Sequence, residues 1–246
     1  MTSDAFVTDV SARINDLGWA YYFVPETLEK GKALGLDGFR FYFLGRGGVL
    51  GDVEAPVVVS ALGYFNPALV ADMWDSGKAI VAPREAARSH FACSAELGRR
   101  HFSDLDGLAE FCAAADAIIN AADPIGLALY SGFRAEPMVD DLPGRAMQLV
   151  SVLREFRGSA HLIAVRGYGL DAKAAHFMRR PNDIGMFGWT DDDAPEIGDT
   201  EREKLAAADR ITDRLVAAAY GGVDEAGQQA ILAGLDQMEV AVKAAQ

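Results

Sequence analysis

Residues 142–180 read LPGRAMQLVSVLREFRGSAHLIAVRGYGLDAKAAHFMRR. Leu149, Leu153, Phe156, Ala160 and Ile163 alternate by four and three, the spacing of one apolar face of a long helix. Gly167-Tyr168-Gly169 interrupts that helix, and Asp171 is placed to cap a second, shorter one. Helix, glycine turn, helix is the outline of a helix-turn-helix. The stretch is also basic. Arg145, Arg154, Arg157, Arg166, Lys173, Arg179 and Arg180 stand against Glu155 and Asp171, a local +5 inside a chain of net charge −13. A basic island in an acidic protein needs a reason.

The rest of the composition sets bounds. A chain of 246 residues, half of them hydrophobic and 24% charged, has enough apolar surface for a substantial core. Alanine, the best helix former, dominates many segments, and β-branched runs are few, Val57-Val58-Val59 being the clearest. An all-α protein follows. Its acidity disfavours a whole surface devoted to nucleic acid or anionic membrane, while leaving room for one basic face. Cys93 and Cys112 lie in apolar, helix-like contexts without metal-ligand spacing and read as buried free thiols. The N-terminal MTSDAFVTDV shows no signal-peptide pattern, and no stretch of 18 apolar residues occurs, so a cytoplasmic, membrane-free protein is expected.

Outward from the island, caps and breakers divide the chain. Ser3–Leu17 is an amphipathic helix stopped by Gly18, and Pro25 opens a helix running to about Leu34. DGFRFYFL (37–44) is compatible with a strand or a buried helix; its helical neighbours favour the helix. Gly45-Arg46-Gly47-Gly48-Val49-Leu50-Gly51 reads as a glycine-rich loop, a tight turn that could bring Arg46 near an anion, but no Gly-Lys-Ser/Thr follows. Helices are expected over 54–62 (a strand is the alternative), 67–74, 83–102, 104–121 and from Asp123-Pro124 to about Tyr130. The stretch 136–143, with two prolines and two aspartates, marks a boundary between a helical domain 1–135 and a helix-turn-helix-like module 143–246. Thr190–Glu203 carries seven acids and one base, a solvated stretch. Helices over 201–220 and 224–245 close the chain. The apolar stripe of the last (Ile231, Leu235, Met238, Val242) could build a homodimer or cap its own domain.

Several segments resemble one family. Tyr42-Phe43-Leu44-Gly45-Arg46-Gly47-Gly48-Val49-Leu50-Gly51 is similar to its "YFxxRxxPLG" segment, with Val49 in place of the proline. Leu153-Arg154-Glu155-Phe156-Arg157-Gly158-Ser159-Ala160-His161 resembles its "LREHRGDGH" segment, with Gly169-Leu170-Asp171 beyond. Gly188-Trp189-Thr190-Asp191 and Ile211-Thr212-Asp213-Arg214-Leu215 also fit. This is a largely uncharacterised actinobacterial family of helix-turn-helix, MarR-like proteins, and the likeness covers nearly the whole chain. It implies a winged-helix-related fold. The family places an extra helix and a wing-like hairpin between its last two motifs. Here only about 20 residues, a strongly acidic stretch, separate Trp189 from Thr212, so the module looks degenerate.

Spacing places Arg154, Arg157 and His161 on one helix face, with Glu155 about 100° away. Two guanidiniums and an imidazole beside an apolar seam suit a carboxylate or phosphate, which arginine grips bidentately. The expected ligand site is Arg46, Arg154, Glu155, Arg157 and His161, with Tyr64 and Phe65 as aromatic walls, for a small anionic or aromatic molecule and without a cofactor. The competing account pairs these arginines with acids elsewhere in the chain. A second reading is a DNA-binding regulator using Lys173, His176, Arg179 and Arg180 on the second helix. Against it, Asp171 would repel phosphates, and Ala172, Ala174, Ala175 and Phe177 suit packing. A third is an enzyme of specialised metabolism using the same pocket. For it, His90, His101, His161 and His176 form no metal motif, Ser131 and Ser159 stand in no nucleophile elbow, and Glu155 and His161 lie six apart on different sides of the helix.

Overall fold

The structure, a computed structural model, describes residues 3–244. Twelve α-helices and three short 3-10 turns make it all-α, with no strand among the described residues. The helices are α1 (Ser3–Leu17), α2 (Pro25–Ala33), α3 (Gly38–Gly47), α4 (Ala55–Leu62), α5 (Pro67–Lys78), α6 (Pro83–His101), α7 (Leu108–Ala121), α8 (Ala128–Arg134), α9 (Leu142–Gly167), α10 (Ala172–Arg179), α11 (Asp199–Tyr220) and α12 (Glu225–Lys243). The expected end of the last helix at Ala245 lies outside the described residues.

The 26-residue α9 is the axle. It starts where the Asp141 side chain accepts the Gly144 amide at 3.0 Å, with Pro143 in the first turn. Leu149, Val150, Val152 and Leu153 are all fully buried. Burial on every side of its first half puts this helix in the core, and α1, α6, α7, α8 and α11 pack around it. Burying each of these side chains contributes about 1.5–3 kcal/mol. One apolar cluster runs from Phe6 on α1 to Val242 on α12, and a smaller one joins the end of α9 to α10 and α11. The stripe Ile231, Leu235, Met238 and Val242 is buried in this core. Ile163, expected on the apolar face of α9, is instead 43% exposed, because only the first half of that helix is enclosed on every side.

Beyond Gly169, held at a left-handed φ of +64°, the Asp171 carboxylate caps α10 through the Lys173 amide at 2.7 Å. Helix, tight turn and short helix are thus present as read. Three local readings are corrected. Gly45-Arg46-Gly47 is the last turn of α3, not a loop. A Cβ at Gly45 would sit 2.5 Å from the His90 ring, and one at Gly48 would strike the Pro83 carbonyl. Those glycines serve close packing of α3, and of the 3-10 turn that follows it, on α6. Asp123-Pro124 does not open a helix: Asp123 accepts the Ile125 amide at 3.0 Å, Gly126 turns the chain at φ +78°, and α8 begins at Ala128. Likewise α7 begins at Leu108, after Gly107 at φ +72°.

Candidate functional site

The centre of the site is a charge cluster between α3 and α9. Glu155 is 2% exposed. Its carboxylate accepts from Arg46 Nη2 at 2.8 and 2.9 Å, Arg46 Nε at 3.2 Å, Arg154 Nη1 at 2.7 Å and the Tyr22 hydroxyl at 3.2 Å. Arg46 also donates to the Tyr42 hydroxyl at 2.6 Å. Arg154 lies over the Tyr22 ring at 5.2 Å, and Arg46 over Tyr42 at 5.3 Å. Burial opposes the charge on Glu155, but Arg46 and Arg154 outweigh it and hold the carboxyl below its ordinary range. Glu155 is therefore a carboxylate, with both oxygens occupied by protein donors.

The count of charges is uneven. Two guanidiniums share one carboxylate, which leaves a net +1 in a buried place. Arg154 spends one N–H on Glu155, and its Nε finds no partner. It lines a cavity of about 290 Å³ whose wall holds all seven residues expected at a ligand site, namely Arg46, Tyr64, Phe65, Arg154, Glu155, Arg157 and His161. Three residues assigned from sequence to DNA, His176, Arg179 and Arg180, line the same cavity. The fourth, Lys173, borders a separate depression, where its ammonium lies 5.3 Å from the centre of the Trp189 ring.

The outer arginines have acids behind them. Arg157 is 3.5 Å from Asp213, Arg179 pairs with Asp209, and Arg180 is 3.5 Å from Asp183. The rival account of paired arginines thus holds for the rim, while the inner pair keeps an excess charge beside a hollow. Apolar walls complete the cavity. Phe65 and Phe187 stack with centroids 4.1 Å apart, and Phe187 meets the His176 ring at 3.8 Å. The strap 184–189 is tied down by the Asn66 amide on Phe187 O at 2.9 Å and by Trp189 Nε1 on Tyr64 O at 2.9 Å.

His161 presents one ring face to Tyr64, with centroids 6.2 Å apart. Its Nδ1 lies 2.9 Å from Thr212 Oγ1 and 3.8 Å from Asp209. Burial, then the charges of Arg157 and Arg179, push its pKa down to about 4, so it is neutral at pH 7. Burial and Arg180 bring His176 to about 4 as well. Glu155 and His161 share the cavity wall but not a hydrogen bond. Ser159 also lines the cavity, whereas the Ser131 hydroxyl donates to Leu127 O at 2.9 Å on α8. Among the described residues, no group of three or more His, Cys, Asp or Glu could hold a metal.

Sequence reasoning missed Thr212, Asp209 and Phe187 as parts of this site. Thr212 lies inside a segment quoted for the family likeness. The others carried no local signal, since Asp209 comes from α11 and Phe187 from the strap 184–189.

An all-helical chain with a helix-turn-helix at its centre and an arginine-lined cavity beside it defines the class of scaffold. The chain belongs to a helix-turn-helix family, whose profile matches residues 7–230. It is also 28% identical over 179 residues to a ribonuclease HII of Rhodospirillum rubrum, covering 68% of this chain and 76% of that protein. That likeness carries no argument about activity. No solved structure matches the chain. Among the described residues no helix is long and apolar enough to cross a membrane.

Proposed function

We propose that this protein binds a small anionic molecule with a flat apolar part, in the cavity between α3, α9 and α10. The carrying observation is the inner triad, in which Arg46 and Arg154 share the single carboxylate of Glu155. An incoming carboxylate or phosphate supplies the missing charge and takes up spare N–H groups of Arg154, while Arg157 flanks it and His161, Tyr64, Phe65 and Phe187 line the space for the rest of the molecule. The helix-turn-helix serves as the frame of the pocket, with DNA binding weakened or lost. Thermal-shift screening with aromatic carboxylates and phosphorylated metabolites tests this. Stabilisation of the native chain that is lost in Arg154→Met supports it; no stabilisation by either class overturns it.

A second reading, a MarR-like regulator that binds DNA, is favoured by the family. Three features oppose it. Ala172, Ala174, Ala175 and His176 of α10 are buried. Arg179 and Arg180 are paired with Asp209 and Asp183. Asp193 of the acidic turn lies close enough to Lys173 for its carboxyl to feel that charge. A mobility-shift assay at low salt decides: a complex whose affinity falls steeply with salt would restore the regulator.

A further inference from the structure

The hydrogen bonds around His161 say more about the ligand than its charge. Thr212 Oγ1 lies 2.8 Å from Ala208 O, the carbonyl one turn earlier on α11, and 2.9 Å from His161 Nδ1. A hydroxyl has one proton. The Ala208 carbonyl can only accept, so Thr212 donates there and accepts from His161. Asp209 Oδ1, 3.8 Å from Nδ1, favours the same placement. The imidazole therefore carries its proton on Nδ1, and Nε2 bears the lone pair.

That lone pair faces away from α11, on the ring edge opposite Thr212. His161 is part of the cavity wall, and no hydrogen bond within the protein is made by Nε2, which solvent reaches. A carboxylate or phosphate oxygen set against it would meet an acceptor with an acceptor. An ammonium would face Arg157 and Arg179. The group that fits is a neutral donor, and next to the Tyr64 ring that donor is a hydroxyl on a flat skeleton. The anion end belongs at Arg154, two turns earlier on the same face of α9.

Resting on the binding function proposed above, we infer that the ligand class is a hydroxylated aryl acid: its carboxylate meets Arg154, and its phenolic hydroxyl donates to His161 Nε2. Thr212 is the positioning residue that fixes which nitrogen accepts. An analogue lacking the hydroxyl leaves a half-buried acceptor unpaired, which is the kind of loss binding sites discriminate well.

The test is calorimetric titration of the full chain with 6-hydroxy-2-naphthoate, 2-naphthoate and 6-methoxy-2-naphthoate. The native protein binds the hydroxy acid at least about tenfold more tightly than the other two, a difference of about 1.4 kcal/mol. His161→Phe keeps a ring against Tyr64 and removes the acceptor, so the three acids then bind within about twofold of one another, the loss falling on the hydroxy acid. Thr212→Val keeps the shape, releases the tautomer and reduces the preference, which serves should His161→Phe fail to fold. Equal binding of all three acids by the native chain overturns the inference, as does a preference that survives both variants. If the three bind alike and Arg154→Met weakens all of them, the anion site stands and only the hydroxyl assignment falls. If none binds, the hydroxyaryl acid inference falls, and the phosphorylated metabolites of the thermal-shift screen decide whether the anion site falls with it.

Discussion

Arg46, on the last turn of α3, and Glu155, in the middle of α9, are 109 positions apart in the chain and meet through Nη2 at 2.8 and 2.9 Å in a place almost closed to water. Neither charge is viable there alone. Removing one partner of such a pair strands the other, at a cost of about 3–5 kcal/mol. Glu155→Ala strands two guanidiniums, so it should lower the unfolding free energy read from urea denaturation by an amount in that range. Arg46→Met leaves Arg154 to neutralise Glu155 and should cost less. Equal effects would show that the two arginines are not sharing one carboxylate.

Gly18 controls Arg154. A Cβ at Gly18 would lie 2.7 Å from both Cβ and Cδ of Arg154, at the end of α1. Gly18→Ala must therefore push the guanidinium stem aside. The expected cost in stability is about 1–3 kcal/mol, as for other overpacked sites. Because the displaced group is the proposed anion anchor, affinity for aromatic carboxylates should fall in the same variant. A folded Gly18→Ala protein with native affinity would separate Arg154 from ligand binding.

His90 gives a pH signature. Its ring is 1% exposed among Tyr21, Tyr22 and Phe41, and neither nitrogen has a partner. Burial, then Arg46, pushes its pKa down to about 3, from an ordinary value near 6.5 in the unfolded chain. The folded state thus refuses a proton that the unfolded state accepts. Stability is full above about pH 6.5 and is lost as pH falls toward 3, by about 2 kcal/mol from this residue at pH 5. His161 and His176 act in the same direction. Urea unfolding between pH 8 and pH 5 should show the decline, and His90→Leu should make it shallower. A slope that His90→Leu leaves unchanged would contradict the account.

The apolar walls should matter differently from the arginines. Phe187 sits on the strap between α10 and the start of α5, stacked on Phe65 and His176. Phe187→Ala removes the stacking surface without touching the triad. It should weaken a two-ring acid more than a one-ring acid in titration calorimetry, and equal losses would place the flat part of the ligand elsewhere.

Much of the fold was legible because its punctuation is local. Asn66-Pro67 and Asp171 each cap the helix that follows them, and each is read from two or three neighbouring residues. The errors came where a longer-range contact decided. Gly45 and Gly48 look like a loop until α6 is laid against them. Asp123-Pro124 looks like a helix start until Gly126 turns the chain away. The site divides in the same manner. Arg154, Arg157 and His161 share a helix face by their spacing. That Arg46 rather than a ligand fills both oxygens of Glu155, and that Thr212, 51 residues on, fixes the His161 ring, follows from helices meeting in space.

The central claim is that the inner triad carries one uncompensated positive charge that an anion completes. The most direct measurement is calorimetric titration with 2-naphthoate and its neutral, equally shaped amide, on the native chain and on Arg154→Met. The account predicts that the carboxylate binds at least about tenfold more tightly than the amide, a difference of about 1.4 kcal/mol, and that Arg154→Met removes this preference while leaving amide binding nearly unchanged. Equal affinities for carboxylate and amide, or a carboxylate preference that persists in Arg154→Met, would contradict it.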